Sequence, residues 1–149
     1  MENDGRDENI NLTILNELNK AAKTGMNSIS YVLKEVSEEN MKENLVCQYS
    51  EYGKIVDRIN TQFEKFGEVP DDEPLTQKMM GWTGVKLNTL TDKSNSHIAE
   101  MMIQGGSMGV IECQKLLNHN PKADQEVKNL LNDFMTMQLN DIEKMKTFL

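Results

Sequence analysis

Apolar side chains recur along this chain at alternating steps of three and four residues, and nowhere do they alternate strictly with polar ones. The first pattern belongs to helices that bury one face in a bundle with shallow crossing angles; the second would mark half-buried strands. Four stretches carry the helical spacing. Leu15, Leu18, Ala22, Gly25, Ile29, Val32 and Val36 form one, and Leu45, Tyr49, Tyr52, Val56, Ile59, Phe63 and Phe66 the next. Ala99, Met102, Gly106, Gly109, Cys113 and Leu116 form the third, and Val127, Leu131, Phe134, Gln138, Asp141, Met145 and Phe148 the fourth. The spacing predicts helices near 11–36, 38–66, 95–118 and 122–148, each roughly 35–43 Å long.

The punctuation agrees with those bounds. No proline occurs before Pro70, which permits long uninterrupted helices. Asn11 and Ser37 suit N-caps, Gly67 suits a C-cap after Phe66, and Pro121 suits the first turn of the last helix. Short gaps between the first two helices and between the last two force antiparallel hairpins. The connection over 67–94 is far longer. It opens with the acidic GEVPDDEP and continues through Met79, Met80, Trp82, Val85, Leu87 and Leu90, which predict a short helix with Trp82 pinning it to the bundle. A crossover of that size lets the third helix run parallel to the second. The expected fold is all-α: an antiparallel four-helix bundle of two helical hairpins joined by a long crossover. It spans residues 10–149 as one domain, after an acidic tail at 1–9 that is expected to be disordered. Asn44-Leu45-Val46 and Asn129-Leu130-Leu131, followed 18 residues on by Phe63 and Phe148, suggest a pseudo-twofold relation between the hairpins.

Composition narrows the function classes. The 149 residues hold 24 Asp and Glu against 16 Lys and Arg, a net charge of −8 that argues against nucleic acid or an anionic membrane as partner. The polar, acidic N-terminus is not expected to be a signal or a transit peptide, and no apolar run is long enough to span a membrane. A cytoplasmic location is the expectation. Cys47 and Cys113 make no metal-spacing motif, and neither has a basic neighbour to activate it, so both are expected to be packed or inert thiols. His97 and His119 fall at the ends of the third helix, which leaves no base for a Ser-His-Asp or Cys-His arrangement.

The stripes fail together near mid-helix. Ala22 and Gly25 interrupt the first, and Gly106 and Gly109, with Gly105 and Ser107 alongside, interrupt the third. A glycine inside a helix costs about 1 kcal/mol relative to alanine, so this cluster needs a reason. Gln138 and Asp141 sit on the inward stripe of the fourth helix, and Gln48 and Glu51 lie beside that of the second. All can share one level of the bundle.

The stretches LNELNKAAKTGMNSISYVLKEV and IQGGSMGVIECQKLL, with Gly81-Trp82-Thr83-Gly84-Val85-Lys86 in the crossover, resemble the ferritin-like superfamily. They are similar to a bacterial four-helix-bundle group of unknown function associated with stress and sporulation. The resemblance implies a dinuclear metal centre held by a Glu on each of two helices and Glu-x-x-His on each of the other two. Its ligand positions fall here on Ala22, Gly106, Gln48 with Glu51, and Gln138 with Asp141. Two carboxylates, two amides and no imidazole cannot balance and coordinate two divalent ions. No metal and no other cofactor is therefore expected, and the six positions read as vestigial.

Each remaining feature has a plainer explanation than chemistry. Gln48, Glu51, Gln138 and Asp141 suit a polar layer that fixes helix register, with Tyr49 or Tyr52 offering a hydroxyl; a buried Asp141 would hold its proton. The eleven methionines suit core packing better than copper or haem ligation. Gly105, Gly106 and Gly109 lack the strand and Gly-Lys-Ser/Thr ending of a phosphate loop, and suit a close helix contact opposite Ala22 and Gly25, or a bend. Missing side chains at one level also allow a cavity lined by Leu18, Met102 and Phe134. The leading expectation is a non-catalytic scaffold or interaction module, partnered by another protein or by a second copy. The alternatives are an iron or manganese oxidase or store with an unusual ligand set at Glu51 and Asp141, and a carrier of a small apolar ligand.

Overall fold

Helix-period stripes fold onto one another here as the spacing requires. The computed structural model describes residues 4–71 and 91–149, with side chains from Asn9 onward. It contains α1 (Asp4–Leu33), α2 (Glu39–Lys65), α3 (Asn95–His119) and α4 (Gln125–Lys146). No strand occurs among the described residues, and none of their helices is long and apolar enough to cross a membrane. The short helix expected around Trp82 lies outside the described residues.

Helix directions follow from the cross-links. Arg58 pairs with Asp133 at 2.8 Å and Lys65 with Glu126 at 2.6 Å, so α2 and α4 run antiparallel. The tight turns at 34–38 and 120–124 make α1–α2 and α3–α4 antiparallel as well. It follows that α3 runs parallel to α2. This is the two-hairpin, long-crossover topology that the loop lengths imply.

The helix ends differ from the sequence reading in instructive ways. The first helix begins at Asp4, not Asn11, so part of the stretch read as a disordered tail supplies its opening turns. An acidic run suits the positive end of a helix dipole, a preference that apolar periodicity does not register. Asn11 is therefore not an N-cap. It is buried, and its side-chain oxygen accepts the backbone N–H of Asp124, the N-cap of α4, at 2.8 Å. The N-cap of α2 is Glu38 rather than Ser37, and α4 starts at Gln125, leaving Pro121 in the preceding turn. Ser94 caps α3, its hydroxyl accepting the His97 N–H at 3.2 Å. Gly67 does end α2 as expected. With φ at +68° it lets Glu68 N–H reach the Phe63 carbonyl and its own N–H reach that of Glu64, both at 3.0 Å.

The core is one cluster drawn from all four helices, with Leu15, Leu18, Ile29, Ile59, Phe63, Leu131 and Phe134 among its buried members. In α2 the buried line is Met41, Leu45, Gln48, Tyr52, Ile55, Ile59 and Phe63, which is rotated from the expected stripe. Tyr49 is 40% exposed and Gln48 takes the inward place. Cys113 is buried, whereas Cys47 is exposed and not packed.

Candidate ligand cavity at the glycine layer

Only Ile98, Ala99 and Cys113 are fully buried on α3, although its stripe runs the length of the helix. The remaining inward positions face a cavity. It measures about 340 Å³ and opens between α1 and α3, with α2 and α4 behind it. Leu18, Met102 and Phe134 line it, as the sequence allows, together with Met101, Met108, Cys113 and Met145. Glycines border it at Gly25, Gly105, Gly106 and Gly109.

Those glycines are not equivalent. A Cβ on Gly25 would lie 2.5–2.8 Å from the ring and hydroxyl of Tyr52. Its bare backbone makes room for that ring, which is buried and meets Phe134 edge-on with centroids 5.8 Å apart. A Cβ on Gly106 would lie 3.2 Å from Ile142 and 3.3 Å from the Gln138 side-chain oxygen, a tight fit. Gly109 has ordinary clearance, 3.7 Å to Gln138, and Gly105 has nothing within 4 Å. The close contacts of Gly25 and Gly106 are thus made within hairpins, to α2 and α4. Across the α1–α3 seam, where Ala22 and Gly25 were expected to meet the α3 glycines, there is space.

The polar layer sits at the back of that space. Gln138 donates through Nε2 to the Tyr52 hydroxyl at 2.6 Å, a buried bond between α4 and α2. Burial drives the Tyr52 phenol well above its ordinary pKa, so it stays neutral. Tyr52, not Tyr49, is the layer's hydroxyl, and it serves Gln138 rather than Asp141. Gln48 is buried and donates to Asn44 at 2.7 Å. On α1, Thr24 and Ser28 turn their hydroxyls back to the carbonyls of Lys20 and Thr24, at 2.7 and 2.9 Å.

Asp141 is the exception. It is 4% exposed, lines the cavity, and its oxygens have no amide, hydroxyl or cationic donor beside them. The Glu51 carboxyl faces it, with its own Oε2 buried and unpartnered. Burial first, and then the Glu51 charge and the proton shared with it, push the Asp141 carboxyl up to about 7. The Cys113 thiol is pushed up to about 12 by burial and then by Glu112, which keeps it protonated and unreactive.

The structure therefore gathers Gln138, Asp141, Glu51, Gln48 and Gly106 around one level. Ala22 is buried on α1 but does not line the cavity, where Ala21 and Gly25 do. His97 lies in the first turn of α3 and His119 is its last residue. Among the described residues no three His, Cys, Asp or Glu side chains group closely enough to hold a metal ion. With two carboxyls and no imidazole, this donor set does not fit a dinuclear centre. Thr24 and Ser28 were not singled out in the sequence. Their spacing of four on an otherwise apolar face was the available signal.

No family model matches the chain, and no curated protein matches it. Solved structures do. A DUF305 fragment from Deinococcus radiodurans superposes with a TM-score of 0.74 at 11% identity, covering 93% of this chain and 93% of its own. A dodecameric thioferritin, the bacterioferritin-related protein from Bacteroides fragilis, gives 0.75 at 10% identity, covering 95% of this chain and 84% of its own. At such identities the likeness is one of fold: the chain is an all-α four-helix bundle with the ferritin-like architecture.

Proposed function

We propose that this chain is a non-catalytic, ferritin-like bundle that binds a small, largely apolar molecule at the level where the ferritin-like resemblance implies a dimetal centre. The cavity of about 340 Å³ carries this reading. Its volume lies in the range of small-molecule sites, its lining sets Leu, Met, Ile and Phe side chains beside bare glycine backbone, and Gln48, Tyr52, Gln138 and Asp141 add polar groups from α2 and α4. The six ligand positions of a dimetal centre are vestigial in this account: Ala22 packs in the core, Gly106 borders the cavity, Gln48, Gln138 and Asp141 line it, and Glu51 faces Asp141. A scaffold acting through a helix face has less support. Among the described helical residues, the large exposed apolar side chains Val46, Tyr49, Ile111 and Leu139 are spread over three helices.

The test is uptake of the neutral fluorescent probe N-phenyl-1-naphthylamine. The wild-type chain should take it up saturably, near one per chain. Gly109→Leu, whose side chain would start beside Gln138 and fill the void, should remain helical by circular dichroism and lose most of that uptake. Equal uptake by both proteins would place the probe elsewhere and end this reading.

A further inference from the structure

We propose that the cavity selects an organic cation, a protonated amine or quaternary ammonium on an apolar body, with the charge seated at Asp141. This rests on the cavity being a binding site and adds the class of its ligand. Among the polar groups of the layer, Gln138 is bonded to Tyr52 and Gln48 to Asn44, whereas the buried Asp141 oxygens meet no neutral or cationic donor and face only the second carboxyl, Glu51. A buried carboxylate in that condition is unfavourable, and an N–H-bearing or quaternary cation entering the cavity supplies the missing charge.

The surroundings point the same way. The cavity lining includes no Lys, Arg or His, and its other acids, Glu17 and Glu112, stand near Lys20 at 3.9 Å and Lys115 at 3.4 Å. Asp141 lies instead against a second carboxyl, Glu51. An anionic ligand would meet acids and no cation in the lining; Lys144, the basic group that acts on Asp141, lies outside it. Tyr52 and Phe134 present aromatic surface in the same cavity, and aromatic rings attract an ammonium group. A neutral apolar guest would use the walls and leave Asp141 unanswered.

The matched probes are 2-phenylethylammonium and 2-phenylethanol, which share a body and differ in charge. By titration calorimetry the amine should bind wild-type protein at least about tenfold more tightly than the alcohol. Asp141→Asn should remove that preference, weakening the amine at least about tenfold relative to the alcohol. Glu51→Gln, which keeps Asp141 but removes the facing charge, should reduce the preference and guards against a misfolded first variant. Equal binding of amine and alcohol to wild type would overturn the cation inference while leaving the cavity as a site. A preference that survives in folded Asp141→Asn and Glu51→Gln would also overturn it. No binding of either probe would remove the cavity reading and this inference together.

Discussion

Gly25 is bare because Tyr52 fills the space a side chain would need, whereas Gly109 stands beside a void. Alanine at the two positions should therefore act in opposite directions. Gly25→Ala should lower stability by about 1–3 kcal/mol, since the buried ring must shift. Gly109→Ala should raise it by up to about 1 kcal/mol, from helix propensity alone. Urea unfolding followed by circular dichroism reads both, and a shared sign would refute the assignment. The sequence marks all the mid-helix glycines as anomalies. It does not sort them, because the sorting depends on which side chain of another helix stands opposite, and a helix's own period carries no such information. Gln48 shows the same blindness: its inward place depends on a small rotation of α2 that exposes Tyr49.

Helix type and number are legible because stripes of six or seven residues repeat the same spacing, whereas the ends depend on single local contacts. Asn11 has the side chain of an N-cap and does cap a helix, but the helix is α4. Its oxygen receives the Asp124 N–H at 2.8 Å from across the bundle. Asn11→Ala would leave that part-buried N–H without its partner and should cost about 1 kcal/mol, read as a fall in the urea midpoint. No measurable change would mean that water replaces the contact. Gly67 was readable in advance because the requirement is intrinsic to the chain: its φ of +68° is one that glycine adopts without strain.

At the scale of the molecule, the bundle keeps a buried acid in its middle, and this ties stability to pH. The folded Asp141 carboxyl titrates near 7, against an ordinary value of 3.8. The native state therefore holds a proton that the unfolded chain releases, and the stability gained is fully present below about pH 4 and lost as pH rises through about 7. Asp141→Asn removes this dependence. Between pH 4 and 7 the melting temperature of the variant should gain steadily on wild type, with the gap flat above. A constant gap would show that Asp141 titrates normally. The architecture and the void lined by Leu18, Met102 and Phe134 could be anticipated from the missing side chains. The facing of Asp141 and Glu51 could not, because it depends on how α2 and α4 are set in register. The buried Gln138–Tyr52 bond and the surface pairs Arg58–Asp133 and Lys65–Glu126 all join α2 to α4 in that register.

The Asn11–Asp124 contact also bears on the order of folding. It joins residues 113 positions apart, while each hairpin closes across a turn of a few residues. Loop-closure entropy favours the local hairpins first, so docking one hairpin on the other is the late event. The stability lost in Asn11→Ala then belongs mainly to the unfolding rate, and the two halves of the chain come apart faster without assembling more slowly.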